Sequence, residues 1–216
     1  MKTETMSEQT PAYSLELKNV AKHFGRTLLF KKVNFRIVPG EIIAVTGWNG
    51  SGKSTLLRII AGLIRPSAGE VKLLKSGASV GRDERRKFTG MVSPALALYD
   101  ELSAVENLNF LASVRGMDIP EKEIVDLVSA VGLQGWEHAL YGIYSSGMKQ
   151  RLKMAQALLH KPPLLLLDEP FSNLDSKGIH RFDSLINERR NAGMIIIASN
   201  EQREIEYGDR VVNLSE

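Results

Sequence analysis

Nine consecutive residues, Gly47-Trp48-Asn49-Gly50-Ser51-Gly52-Lys53-Ser54-Thr55, have types and spacing that could do chemistry. They fit the pattern G-x-x-x-x-G-K-[ST], whose glycines let successive backbone N–H groups curl around an anion. The residues that follow, Leu56-Leu57-Arg58-Ile59-Ile60-Ala61, continue as a helix, and a helix N-terminus adds partial positive charge. Lys53 can reach the β- and γ-phosphates of a nucleotide as a point charge. Ser54 offers a hydroxyl to Mg²⁺. The candidate nucleotide-binding residues of the loop are Gly47, Asn49, Gly50, Ser51, Gly52, Lys53, Ser54 and Thr55.

A second constellation lies more than a hundred residues on. Leu164-Leu165-Leu166-Leu167-Asp168-Glu169 reads as a buried strand ending in two acids. In open α/β sheets, ligands sit at the carboxyl ends of strands. Asp168 is placed to hold Mg²⁺, directly or through water. Glu169 is placed one residue on, near the γ-phosphate, to polarise a water as general base. A strand that ends in exposed acids is common in itself; the pairing with Lys53 is what points to catalysis.

Strand-like and helix-like segments alternate around these motifs, which predicts an α/β domain. Residues 41–46 form a short apolar run, the size of a buried strand, directly before the glycine-rich loop. Residues 15–18 and 33–37 alternate apolar and polar, as half-buried strands do. Pro39-Gly40 is a turn, and residues 69–74 are another short strand. Between about 99 and 147 the pattern turns helical. Residues 104–115 read as a helix, and Ile124, Leu127, Val128 and Val131 share one helix face in 121–131. Alternation resumes with a strand at 164–167, a helix near 177–192 and a strand at 194–198.

A chain of 216 residues is one domain, or one domain with an inserted subdomain. It has no cysteine, which excludes disulfides and Cys-based zinc sites. Its apolar runs are far too short to span a bilayer. Residues 1–10 are polar, unlike a signal peptide, and predict a loose tail. The net charge is +3 and the pI about 9.1, a small excess. The densest basic run, residues 82–87, is interrupted by acids and reads as a solvated helix face rather than a nucleic-acid patch. The four histidines, His23, His138, His160 and His180, fall on no motif and read as surface residues.

Together the motifs resemble the ATP-binding subunit of an ABC transporter. Tyr144-Ser145-Ser146-Gly147-Met148-Lys149-Gln150-Arg151 is similar to the family's signature, L-S-G-G-Q followed by a basic helix. Pro170-Phe171-Ser172-Asn173-Leu174-Asp175 follows the acids as the family's D-loop does. Phe24, before Gly25, stands where an aromatic usually stacks on adenine, although an isolated Phe is more often a core residue. Residues 98–108 resemble the segment after the family's glutamine loop. The likeness runs from about Tyr13 to the C-terminus, and a compact domain with this signature is similar to small exporter-type subunits, including the haem exporter ATPases of cytochrome c maturation.

The resemblance implies a P-loop NTPase core with an antiparallel β subdomain and an inserted helical subdomain at about 97–150. The whole forms one ATP-binding domain over 13–216 after a flexible tail at 1–12. It implies ATP and Mg²⁺ as cofactors. It also implies a head-to-tail pair with a second ATP-binding subunit, a homodimer, in which Ser145, Ser146 and Gly147 of one copy face the phosphate loop of the other. Ser145-Ser146 equally read as the N-cap of the helix at 147–159. A membrane-embedded partner is implied, docking in an outer groove near Leu96, Leu98 and Tyr99, which places the chain in the cytoplasm on the inner face of the cell membrane. No nucleic acid is expected.

Four residues in three motifs depart from the family's pattern. Ser146 and Met148 alter the signature in a form exporter-type subunits tolerate. Pro94 stands where the glutamine should be, and its side chain can ligate nothing; Ser93 is one residue away. Asn200 replaces the histidine that contacts the γ-phosphate and catalytic water, so Asn200 joins Lys53 and Glu169 as the catalytic candidates, with slower hydrolysis expected. Two other readings stay open: a non-transport ABC ATPase acting on nucleic acid or ribosomes, and a slow-hydrolysing nucleotide-gated binding module.

Overall fold

A computed structural model describes residues 12–215. The tail expected over 1–12 falls, but for its last residue, outside the described residues.

The polypeptide folds into two sheets that share a core. β1 (Tyr13–Phe24), β2 (Thr27–Ile37), β4 (Ala68–Lys75) and β5 (Ala78–Val80) form an antiparallel sheet in the order β2-β1-β4-β5. β3 (Ile42–Thr46), β6 (Thr89–Val92), β7 (Leu164–Asp168), β8 (Met194–Ala198) and β9 (Arg210–Asn213) form a second sheet in the order β6-β7-β8-β3-β9, with every pairing parallel.

The central parallel strands β3, β7 and β8 are buried on both faces, which is why they read as unbroken apolar runs. Leu164 and Leu166 of β7 face one core with Met194 and Ile196 of β8 and Ile43 and Val45 of β3. That core is closed by α1 (Lys53–Ile60) and by Leu15, Leu17, Ile37 and Leu73 of the antiparallel sheet. Leu165, Leu167, Ile195 and Ile197 face the other core, under the helices. The period-2 alternation of a strand splits one run of leucines between two layers.

The helices on that second side are α2 (Ala104–Val114), α3 (Glu121–Ala130), α4 (Ser146–Leu158) and α5 (Ser176–Ala192), with a short α6 (Gln202–Ile205). α2 starts at a reciprocal cap: Ser103 Oγ accepts from Glu106 N–H at 3.2 Å and Glu106 Oε2 accepts from Ser103 N–H at 2.8 Å. α3 starts after Pro120, whose fixed φ suits a helix entry. Its residues Ile124 and Val128 are fully buried, as the periodicity predicts.

The basic run at 82–87 is solvated and helical as expected, the helix being a 3-10 one over Arg82–Phe88 with no buried residue. Other expectations are corrected. Leu98 is only 9 % exposed and packs in the helical core rather than on an outer surface. His160 is half-buried, at the end of α4, while the other three histidines are exposed. β5, α6 and β9 are short and were not legible from periodicity.

Candidate functional site

The strand order puts the chemistry in one place. β7, β8 and β3 are consecutive neighbours, and Ala198 at the end of β8 pairs with Asp168 on one side and Val45 on the other. The carboxyl ends of these three strands therefore deliver the 47–55 loop, the Asp168–Glu169 pair and Asn200 to one edge of the sheet.

The loop folds tightly against its surroundings. Gly52 precedes α1 with φ +98°, and a Cβ there would lie 2.8 Å from Cδ1 of Phe30 on β2. Any side chain would collide as well as being strained. Lys53 is buried, and its Nζ donates to the carbonyls of Gly47 at 2.7 Å and Trp48 at 3.4 Å. This holds the ammonium inside the curl of the loop. Ser51 Oγ is buried within the same curl and has no hydrogen-bond partner among the described residues. A buried hydroxyl without a partner is costly, and a phosphate oxygen is the group the loop would offer it.

Asp168 is 3 % exposed, and burial pushes its carboxyl above the usual range. Hydrogen bonds from Ser54 and Ser93 pull the other way, the latter from Ser93 Oγ to Oδ2 at 3.4 Å. A carboxylate touching the loop's Ser54 hydroxyl is a two-oxygen set of the kind Mg²⁺ takes alongside phosphate oxygens and waters. Among the described residues no group of three His, Cys, Asp or Glu could hold a metal by protein ligands alone. Pro94 carries no ligating group, but Ser93 beside it is the residue that reaches Asp168.

Glu169 projects into solvent-accessible space with φ +48°, an uncommon backbone for a non-glycine residue. Its N–H donates to Ala198 O at 2.9 Å, and its own carbonyl accepts from Ser172 Oγ at 2.8 Å. Gln150, buried in α4, donates from Nε2 to Pro170 O at 2.9 Å. Asn200 reaches the loop: Gly47 N–H donates to its Oδ1 at 3.3 Å, and its Nδ2 donates to Asn49 Oδ1 at 3.2 Å. A cavity of about 430 Å³ joins Asn49, Glu169, Ser199 and Asn200.

Other candidates stand apart from this cluster. Ser145 is the N-cap of α4, its Oγ accepting from Met148 N–H at 3.3 Å. Gly147 lies against the segment after the acids, where a Cβ would meet Asn173 O at 2.8 Å. Ser145, Ser146 and Gly147 make no hydrogen bond to residues 47–55 within the chain among the described residues. Phe24 is 53 % exposed at the β1–β2 hairpin, with Lys22 Nζ 4.7 Å from its ring centre, so it is not a core residue. Leu96 lines a groove of about 350 Å³ with Arg58, Leu63, Met91, Ser93 and Arg115. Tyr99 instead packs edge-on against Phe110 at 5.2 Å. Gln150 and Glu204 were missed from the sequence. Each is a polar residue at a position burial reserves for apolar ones, a signal visible only once the helices are placed.

A sequence profile of the ABC transporter family matches residues 30–172. The chain is 38 % identical over 194 residues to the cytochrome c biogenesis ATP-binding export protein CcmA of Methylococcus capsulatus, covering 88 % of this chain and 93 % of that one. It is 40 % identical over 186 residues to CcmA of Brucella abortus, covering 86 % and 84 %. Its fold superposes with a TM-score of 0.81, at 28 % identity and 93 % and 94 % coverage, on a dimeric ATP-binding cassette, MJ0796, in a post-hydrolysis state bound to ADP and Pi.

Proposed function

This chain belongs to the ABC transporter family as an ATP-binding, ATP-hydrolysing subunit, and from that premise we propose how its own residues do the work. The backbone of residues 47–53, with Lys53, Ser51 and Thr55, cradles the phosphates. Ser54 and Asp168 would hold Mg²⁺, which would supply positive charge to neutralise the phosphates. Phe24 offers its exposed face to adenine. Glu169 accepts a proton from the water that attacks the γ-phosphorus, and Asn200 orients that water and the γ-phosphate with its amide. The bond from the γ-phosphorus to the bridging oxygen breaks, leaving ADP and phosphate.

The signature residues complete the site from a second copy. Ser145 and the Gly147 N–H stand at the N-terminus of the thirteen-residue α4, where an anion is favoured. Their separation from the loop within one chain supports a head-to-tail pair in which each copy supplies the other's site. The dimeric cassette MJ0796 supports the same reading. Among the described residues no helix is long and apolar enough to cross a membrane. A membrane-embedded partner docked in the groove at Leu96 then carries the cargo, with this chain peripheral on the cytoplasmic side. The CcmA relatives point to export.

The observation that carries the reading is the convergence of Lys53, Asp168, Glu169 and Asn200 on the ends of three adjacent strands. Glu169→Gln should lower kcat by on the order of 10²–10⁴, leave Mg-ATP binding intact and trap an ATP-dependent dimer. From native membranes, that trapped form should pull down a polytopic membrane protein in stoichiometric amounts. Unchanged turnover would remove Glu169 as the base, and ribosomes or nucleic acid in the pull-down would overturn the transport role.

A further inference from the structure

Glu204 sits in α6, four residues after Asn200, and is 2 % exposed. Its Oε1 accepts the N–H of Phe171 at 2.8 Å, while its Oε2 is buried without a close hydrogen-bond partner among the described residues, the Ser199 hydroxyl lying near the carboxyl. It makes no ion pair among the described residues; the neighbouring Arg203 is engaged with Asp183 and lies over the Phe171 ring. Burial pushes the carboxyl up, the Ser199 hydroxyl and the Phe171 N–H pull it down, and the Glu169 and Glu201 charges push it up again. A carboxylate in this setting destabilises the fold relative to an apolar residue of the same size, so its contribution has to be sought in what it grips.

It grips the turn that carries Glu169. That residue is held at φ +48°, and such backbone persists only where the surroundings over-determine it. Pro170 has no N–H, so the Phe171 N–H is the first donor the chain offers after Glu169. Glu204 takes it. The other anchors of the turn come from β8, through Ala198 O, and from α4, through Gln150. From the segment bearing Asn200, Arg203 covers the Phe171 ring while Glu204 takes the backbone hydrogen bond of the turn, and both Glu169 and Asn200 line the same cavity.

We propose that Glu204 is a positioning residue for hydrolysis, tying the 199–204 segment to the strained 169–171 turn so that Glu169 and Asn200 keep one shared geometry around the γ-phosphate. This rests on the ATPase reading above. The wild-type turnover and the loss caused by Glu169→Gln test that reading separately from this one.

The test compares two neutral replacements of similar length. Glu204→Gln keeps an oxygen acceptor for the Phe171 N–H, whereas Glu204→Met fills the space without one. ATPase kinetics are measured with Mg-ATP alongside thermal unfolding. Glu204→Met should lower kcat at least about tenfold with KM for ATP within about twofold, and Glu204→Gln should recover kcat to within about threefold of wild type. In a Glu169→Gln background, Glu204→Met should add little further loss, because two residues serving one step are not additive. If the methionine chain does not fold, Glu204→Asp, which withdraws the acceptor by one methylene, carries the same expectation for kcat and KM. Wild-type kcat in the methionine chain, an equal fall in the glutamine chain, a fall expressed in KM, or full additivity with Glu169→Gln would each overturn the proposal.

Discussion

Asn200 Nδ2 donates to Asn49 Oδ1 at 3.2 Å, while the Oδ1 of the same amide accepts from Gly47 N–H at 3.3 Å. The backbone donor fixes the orientation of the amide, since an N–H must face an oxygen. The end of β8 is thereby pinned to the phosphate loop by two neutral hydrogen bonds across more than 150 residues of sequence. Neither bond carries a charge to the γ-phosphate.

Asn200→His should raise ATP turnover. Hydrogen bonds to charged groups are worth about 1.5–3 kcal/mol against about 1 for neutral ones. An imidazolium at this position should therefore raise kcat on the order of tenfold. Steady-state phosphate release by the two chains is the measurement; equal or lower turnover in the histidine chain would sink the expectation.

Ser145 caps α4 and, in the proposed head-to-tail pair, would also face the partner's ATP, two roles that substitutions can separate. As the N-cap of α4 it contributes about 1 kcal/mol, which Ser145→Ala should remove. Ser145→Asp keeps a capping oxygen but adds a negative charge facing the partner's ATP. The alanine chain should lose both thermal stability and ATP-dependent dimerisation, and the aspartate chain should regain stability without the dimer. Light scattering with Mg-ATP reads the dimer in a Glu169→Gln background. Dimerisation of the aspartate chain at the unmodified level would remove Ser145 from the interface.

His160 predicts a pH dependence. Burial, aided by the Arg115 and Arg189 charges, depresses its pKa from the usual 6.5 to about 4. The unfolded chain therefore binds a proton at this residue between pH 6.5 and 4 that the folded chain refuses. Stability from His160 is present above pH 6.5 and is lost as pH falls through that window. Denaturant unfolding should show a steeper decline from pH 6.5 to 4.5 for the natural chain than for His160→Leu. Parallel declines would mean that His160 titrates freely in the folded protein.

Much of the fold was legible because local pattern and final environment agree. The Leu164–Leu167 run is apolar because β7 is buried on both faces, and the alternation at 33–37 reflects a sheet with one solvated face. The helix at 121–130 was legible from its 3.6-residue period, whereas the capping box that starts the helix at 104–114 is seen in the structure. Leu98 was misjudged because an isolated leucine carries no period to say which way it faces. His160 is half-buried because of tertiary neighbours that no local pattern announces; Thr89 and the charges of Arg115 and Arg189, all distant in sequence, act on its ring.

By itself the sequence determined the chemistry of the contiguous motifs. A phosphate-binding curl needs its glycines, lysine and serine side by side, and they stand at 47–55; the acids must end a buried strand, and they follow Leu167. Only the tertiary structure decided which residues meet across the chain. Ser93 reaches Asp168 from 75 residues away, Glu204 holds Phe171 from 33, and Asn200 closes on Asn49 from 151. These contacts follow from the order β6-β7-β8-β3, which sets strands distant in sequence about 5 Å apart. That order emerges from how two apolar layers are buried together, and no local run of residues encodes it.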